Sequence, residues 1–351
     1  MVKVLFVSST SPKSGKTALC VGLLLKFKKE GLKVGYLKPI GNPQLAADDI
    51  DKDVRTIAQI LEIGPQKVNS PILINRDMYF EEIGLQTPAK ILETIKSAFA
   101  KISAGKDVVV IEGNNEIHYL HSVGLDDVSL ARELGAKIII IDPVRTDSTI
   151  DDILATIDFI NQHNAQTIGV ILNDTSKDMM ERAKTLYTSK LTDAKIPILG
   201  IIPKVPRLLS PTVQEIVEAL AADVLESGKK GALDRLVEGF VVGAMSLAAA
   251  LQYLRRAAPN SAVITGGDRA DIALVALEQG FSALIFTGNI TPGVQILAKA
   301  KEKGVPVMLS RVDTFGTVQM LERAKAEIQP AEQEVCLKMV EENVNIKALL
   351  K

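Results

Sequence analysis

From the N-terminus to about residue 220, short runs dense in Val, Ile and Leu alternate with longer stretches whose apolar residues recur every three or four positions. The runs at 2–8, 34–37, 108–111, 137–141, 167–172 and 198–202 show little polar alternation, the pattern of strands covered on both faces. The stretches 17–30, 51–61, 88–104, 128–134, 148–163 and 178–191 read as amphipathic helices. Alternation of this kind predicts an α/β fold with a doubly wound, mostly parallel sheet, in which functional residues lie at the carboxyl ends of the strands. The polar, glycine-flanked stretch Glu226-Ser227-Gly228-Lys229-Lys230-Gly231 interrupts the pattern and predicts a boundary. A smaller α/β alternation follows, with strands at 240–244, 262–265, 283–286 and 306–309 and helices at 247–256, 269–279, 294–303 and 314–326. The expected organisation is a first domain over 1–221, a linker over 222–235, a second domain over 236–330 and a C-terminal helical segment over 331–351.

The turn after the first strand reads Ser9-Thr10-Ser11-Pro12-Lys13-Ser14-Gly15-Lys16-Thr17, and an apolar helical run starts at Ala18. Strand, loop and helix closing on Gly-Lys-Thr form the tail of a phosphate-binding P-loop. Phosphate oxygens need backbone N–H donors, and a helix N-terminus supplies several together with a favourable dipole. Lys16 is the expected contact to the β- and γ-phosphates, and the Thr17 hydroxyl the expected Mg²⁺ ligand. The motif departs from the standard loop at Thr10, where glycine is usual.

Acidic partners for Mg²⁺ are expected near that loop. Glu112 stands at the tip of the 108–111 strand, where a carboxylate holds a metal directly or through water. Asp53 belongs to the cluster Asp48-Asp49-Ile50-Asp51-Lys52-Asp53, whose members equally suit the N-terminus of a helix. Lys38-Pro39 follows the 34–37 strand and places a lysine at the same crevice as Lys16. Asn173, at the end of the 167–172 strand, is a candidate for the adenine edge, and Asn173-Asp174 equally suits a turn. Pro203 follows the 198–202 strand and is a candidate for packing on the base. In the second domain, Thr265-Gly266-Gly267 and Thr287-Gly288-Asn289 each follow a strand, as tight turns or as ligand loops. Asp268 suits an N-cap, and Arg269, in a first helical turn where the dipole does not favour a cation, is a candidate for an anion or an interface. His118, His121 and His163 have neither metal-ligand nor triad spacing.

Composition narrows the function classes. The 351 residues include 47% hydrophobic and 24% charged residues, with a net charge of -1. That balance gives no electrostatic footprint for nucleic acid, and the absence of Trp with 4% aromatics argues against base-stacking platforms. No apolar run approaches the roughly twenty residues of a membrane span, and no signal-peptide pattern opens the chain. Cys20 and Cys336 are far apart and read as thiols in a reducing cytoplasm.

Together these residues resemble two known modules. Thr10 to Thr17, Gly35-Tyr36-Leu37-Lys38-Pro39-Ile40, Asp53, Glu112-Gly113 and Val170-Ile171-Leu172-Asn173 resemble dethiobiotin synthetase and its P-loop relatives. Val263-Ile264-Thr265-Gly266-Gly267-Asp268-Arg269-Ala270-Asp271, Leu284-Ile285-Phe286-Thr287-Gly288 and Val307-Met308-Leu309 with Asp313-Thr314-Phe315 resemble a DRTGG domain. In this order the pair resembles the non-catalytic N-terminal region of long phosphate acetyltransferases. The resemblance implies nucleotide contacts at Thr10, Ser14, Gly15, Lys16 and Thr17, metal contacts at Thr17, Asp53 and Glu112, and adenine recognition at Asn173. It also implies Lys38 facing a reacting carbamate, so that Lys16 and Lys38 carry any catalysis. Two departures stand out: Ser9 replaces the leading glycine of that family's loop, and Asn114-Asn115-Glu116 replaces its glycine-rich run after the metal glutamate. The expected function is that of a cytoplasmic ATP and Mg²⁺ binding regulatory or sensor protein, a homo-oligomer whose DRTGG-like domain mediates dimerisation, binds a ligand, or both. Acetyl transfer is not expected from this chain alone. The alternatives are an ATP-dependent ligase acting on a carboxylate or carbamate, and a subunit that binds an acyltransferase in trans.

Overall fold

The computed structural model describes residues 2–42, 46–47, 50–63, 70–75, 78–84, 87–257, 260–323 and 328–351. The chain divides into two compact units, one over Met1–Lys204 with Ile328–Lys351 and the other over Val205–Glu327.

The first unit is built on six strands, β1 (Lys3–Ser8), β2 (Val34–Leu37), β3 (Val108–Glu112), β4 (Lys137–Pro143), β5 (Gln166–Thr175) and β6 (Ile198–Pro203). They pair in the order β6-β5-β4-β1-β3-β2, all parallel. The central strands are apolar on successive residues because helices cover both faces, and Leu5, Phe6, Val109, Val110, Ile138 and Ile139 are all sealed from solvent. The register sets Val7 opposite Glu112 and Ser8 opposite Ile140, so the ends of β3 and β4 flank the exit of β1. From that exit the chain enters helix α1 (Lys16–Lys29).

The C-terminal segment belongs to this first unit rather than standing apart as a terminal helix. Helix Gln333–Asn343 packs on α1 at Gly22, where a Cβ would overlap the Cys336 carbonyl and Val340. The Asn345 N–H donates to the Leu199 carbonyl at 2.7 Å, and Glu341 bridges Lys26 and Lys29. The expected continuous helix breaks at Val344, in extended backbone, before a short turn of helix at Ile346–Leu349.

The second unit has five strands, β7 (Asp223–Glu226), β8 (Gly239–Val242), β9 (Ser261–Gly266), β10 (Ala283–Thr287) and β11 (Val307–Leu309), ordered β7-β11-β10-β9-β8 with β7 antiparallel. Alternate strand residues separate its two cores. Val263, Leu284 and Phe286 pack under helices Leu247–Arg256, Ala270–Gln279 and Val294–Lys303, and Ile264, Ile285 and Met308 pack under Val213–Leu220 and Thr314–Arg323. The unit therefore begins at Val205, and the expected linker over 222–235 contains an edge strand. Val213–Leu220 is fixed by a full capping box between Thr212 and Glu215. Asp268 does not cap its helix; Arg269 holds the capping position, and its guanidinium reaches the Met245 carbonyl and Asp271.

Candidate functional site

The loop between β1 and α1 ends on Gly15, in the left-handed region at φ 94°, and no side chain caps the helix it opens. Glycine adopts this conformation without the Cβ penalty. The first amides of α1 are thus the donors that a helix N-terminus ordinarily offers to a side-chain cap or to an anion. Asn173, at the end of β5, donates its amide Nδ2 to the Ser14 carbonyl at 2.8 Å. The donor expected at an adenine edge is thereby engaged with the loop itself, and a Cβ on Gly15 would overlap it. Pro203 lies exposed at the end of β6, two strands beyond β4.

Lys16 is buried and turned onto the loop. Its ammonium donates to Ser9 Oγ at 2.6 Å, Ser14 Oγ at 3.3 Å and the Asn115 carbonyl at 2.9 Å. Burial lowers its pKa, and the charges of Asp127, Glu112 and Asp142 pull in the opposite direction. The Thr10 N–H donates to both oxygens of Asp142 at 3.1 and 3.0 Å, and Ser11 Oγ donates to the same carboxylate at 3.2 Å. Burial raises Asp142 to about 6 against these hydrogen bonds.

On the other side of β1 the acidic residues form a connected group. Glu112 accepts the Thr17 hydroxyl at 2.7 Å and the Tyr36 phenol at 2.8 Å. Burial and the nearby Asp53 charge raise its carboxyl pKa, opposed by Lys38 and the two hydroxyls. Lys38 is itself buried, paired with Asp51 at 2.9 Å and with Asp53. Burial alone would lower its pKa, but Asp53, Glu112 and Asp51 outweigh that effect and hold it charged. Asp51 also caps the next helix by accepting the Asp53 N–H. Asp48 and Asp49 lie outside the described residues.

Thr17, Glu112 and Asp53 offer one hydroxyl and two carboxylates. Mg²⁺ commonly takes one or two carboxylates and completes its shell with phosphate and water, so this donor set fits an ion that arrives with a phosphate. Among the described residues no three His, Cys, Asp or Glu side chains converge to hold a metal by themselves. The three histidines gather on Phe159 instead, with His121 against Asp126.

Two buried carboxylates extend the site beyond the residues expected from the sequence. Asp142 ends the run Ile138-Ile139-Ile140-Ile141, the same strand-tip signal that singles out Glu112. Asp127 carries no such signal, because beside Asp126 it reads as a helix start, and Asp126 is indeed the cap. Asp127 accepts Ser8 Oγ at 2.5 Å and the Asn114 N–H at 2.9 Å. Burial raises it from 3.8 to about 7. The folded state therefore binds the proton more tightly than the unfolded chain, and this contribution to stability fades as pH rises from about 4 to about 7. Asp127→Asn keeps the shape without the titration. It is expected to lose less stability than wild type across that window, as chemical denaturation at a series of pH values would show. Parallel pH profiles would count against it.

In the second unit the glycine turns are filled by the chain itself. A Cβ on Gly267 would overlap the Ile290 carbonyl, Thr265 Oγ1 donates to the Gly243 carbonyl at 3.0 Å, and Thr287 and Thr314 share a hydrogen bond at 2.8 Å.

Comparison with known proteins also finds two modules in the chain. An AAA domain family model matches residues 3–212, and a DRTGG domain model matches residues 215–324. The phosphate acetyltransferase of Pseudomonas putida is 25% identical over 95% of this chain and 49% of its own length. That of Nitrosomonas europaea is 26% identical over 92% of this chain and 47% of its own length. The chain thus spans about half the length of the curated relatives it matches. Among solved structures, the septum site-determining protein MinD of Pyrococcus horikoshii, complexed with Mg-ADP, aligns at 18% identity over 59% of this chain and 84% of its own, with a TM-score of 0.38. The CBS and DRTGG domains of a Clostridium perfringens pyrophosphatase align at 19% identity over 45% of this chain and 74% of their own, with a TM-score of 0.29. The chain belongs to the AAA-domain family of P-loop proteins, carries a DRTGG domain behind that module, and is related to the phosphate acetyltransferases.

Proposed function

We propose that this chain binds ATP with Mg²⁺ and works as a nucleotide-responsive regulatory or sensor protein. The observation that carries the reading is the α1 N-terminus, opened by a left-handed Gly15 with no side-chain cap and flanked by Lys16 and the Thr17–Glu112 pair. When bound, Mg²⁺ neutralises phosphate charge. Thr17, Glu112 and Asp53 are the residues that would hold it. Lys16 would exchange Ser9 and Asn115 for phosphate oxygens, a stronger, charge-assisted partner.

The ligase alternative needs Lys38 at a reacting carboxylate or carbamate. Its ion pairs with Asp51 and Asp53 give it a structural role and weigh against that alternative. Because the relatives are phosphate acetyltransferases, an acyltransferase is the partner we infer for the nucleotide signal, and a homo-oligomer through the DRTGG domain completes the reading.

The test is calorimetric titration of the purified chain with ATP in the presence of Mg²⁺, alongside Lys16→Ala. Binding by wild type and an affinity about 10–100-fold weaker in the variant are expected, the worth of a charge-assisted phosphate contact. Equal affinities, or no binding by either protein, would defeat the proposal.

A further inference from the structure

Asn114, in the turn after β3, is only 7% exposed, and its side-chain Nδ2 finds no acceptor among the described residues. An unpaired buried amide donor destabilises a fold, and an apolar side chain of similar size would fill the space without that penalty. The backbone around it is fixed. The Gly113 N–H donates to the Val7 carbonyl at 2.9 Å and the Asn114 N–H to Asp127 Oδ1 at 2.9 Å. The next carbonyl, Asn115, accepts Lys16 Nζ at 2.9 Å and Ser9 Oγ at 3.2 Å. An amide with an unused donor is therefore held one residue from the contact made by the phosphate-loop lysine.

The strand order indicates which part of a nucleotide this turn meets. The loop and α1 leave from β1; Pro203, the candidate for the base not engaged by the loop, ends β6 on one side of it, and Asn114 follows β3 on the other. A nucleotide laid across the carboxyl ends with its base toward β6 and its inner phosphates on the α1 amides brings its outermost phosphate toward β3. Resting on the nucleotide reading above, we propose that Asn114 reads the terminal phosphate, donating Nδ2–H to a γ-phosphate oxygen and so separating nucleoside triphosphate from diphosphate. The ligand completes the hydrogen bond that the fold leaves open. Asn114 is a specificity residue rather than a catalytic one.

The experiment is titration of the full chain with ATP and with ADP, each with Mg²⁺, for wild type, Asn114→Leu and Asn114→Asp. Wild type should prefer ATP. Asn114→Leu should weaken ATP about tenfold or more while changing ADP less than about twofold. Its ligand-free melting temperature should hold or rise, because the unpaired donor is gone. Asn114→Asp, similar in size but presenting an acceptor, should lower the ATP preference as well, and it serves if the leucine variant does not fold. If the variants leave the ATP-to-ADP preference at its wild-type value, or weaken both nucleotides equally, the γ-phosphate assignment falls and the phosphate-loop reading stands. If wild type binds neither nucleotide, both fall.

Discussion

Lys38→Met is expected to lower the unfolding free energy of the first unit by about 3–5 kcal/mol, the cost of breaking a buried ion pair from one side. Lys38 is 4% exposed and its ammonium faces two carboxylates, of which Asp51 is 1% exposed. Methionine fills the space but leaves the Asp51 charge in a dry setting, held among the described residues by the backbone donors of Asn42 and Asp53. Neutralising the partners should therefore recover most of the loss. Lys38→Met/Asp51→Asn/Asp53→Asn is expected to approach wild type, since amides keep the capping acceptor while removing the orphaned charge. Urea denaturation with an unchanged slope gives the number directly. A cost below about 1 kcal/mol would match a surface pair instead and reopen the substrate-facing role for this lysine.

Gly15→Ala should abolish most nucleotide affinity, by about 100-fold or more, for two separable reasons. The residue sits at φ 94°, where an L side chain is strained by roughly 1–2 kcal/mol. The added methyl would also overlap Asn173 Nδ2 and push that amide off the Ser14 carbonyl, moving the loop whose amides are to meet phosphate. Asn173→Ala in the same chain removes the overlap but not the strain. The double variant should therefore regain part of the affinity and no more. Titration with ATP and Mg²⁺ separates the two terms. Wild-type affinity in Gly15→Ala would show that the loop conformation described here is not the one that binds.

Much of this site is legible in the sequence because α/β geometry delivers it. A strand tip followed by Glu or Asp marks a carboxylate at the crevice, which singles out Glu112 and applies equally to Asp142. Gly-Lys-Thr after an apolar strand locates the loop for the same reason. What the pattern hides are pairings made through space. The lock on Lys38 depends on bringing Asp51 and Asp53 back toward the end of β2, a matter of loop path rather than periodicity. Asp127 is masked by its neighbour Asp126, because two adjacent aspartates before a helix both look like caps. Strand β7 is only four residues long and two of them are acidic, so its stretch reads as linker; it forms because β11 offers an open edge. The return of residues 328–351 to the first unit has no local signature, since an amphipathic helix does not announce which groove receives it.

That return has a consequence for biosynthesis. The first unit is interrupted by the second, so a ribosome delivers more than three hundred residues before the helix that seats against Gly22 exists. Until then the outward side of α1 lacks its cover, and a nascent chain carries an unfinished P-loop module that a chaperone would recognise by its bare leucines and valines. Closure of the module thus waits on a segment made after the second unit.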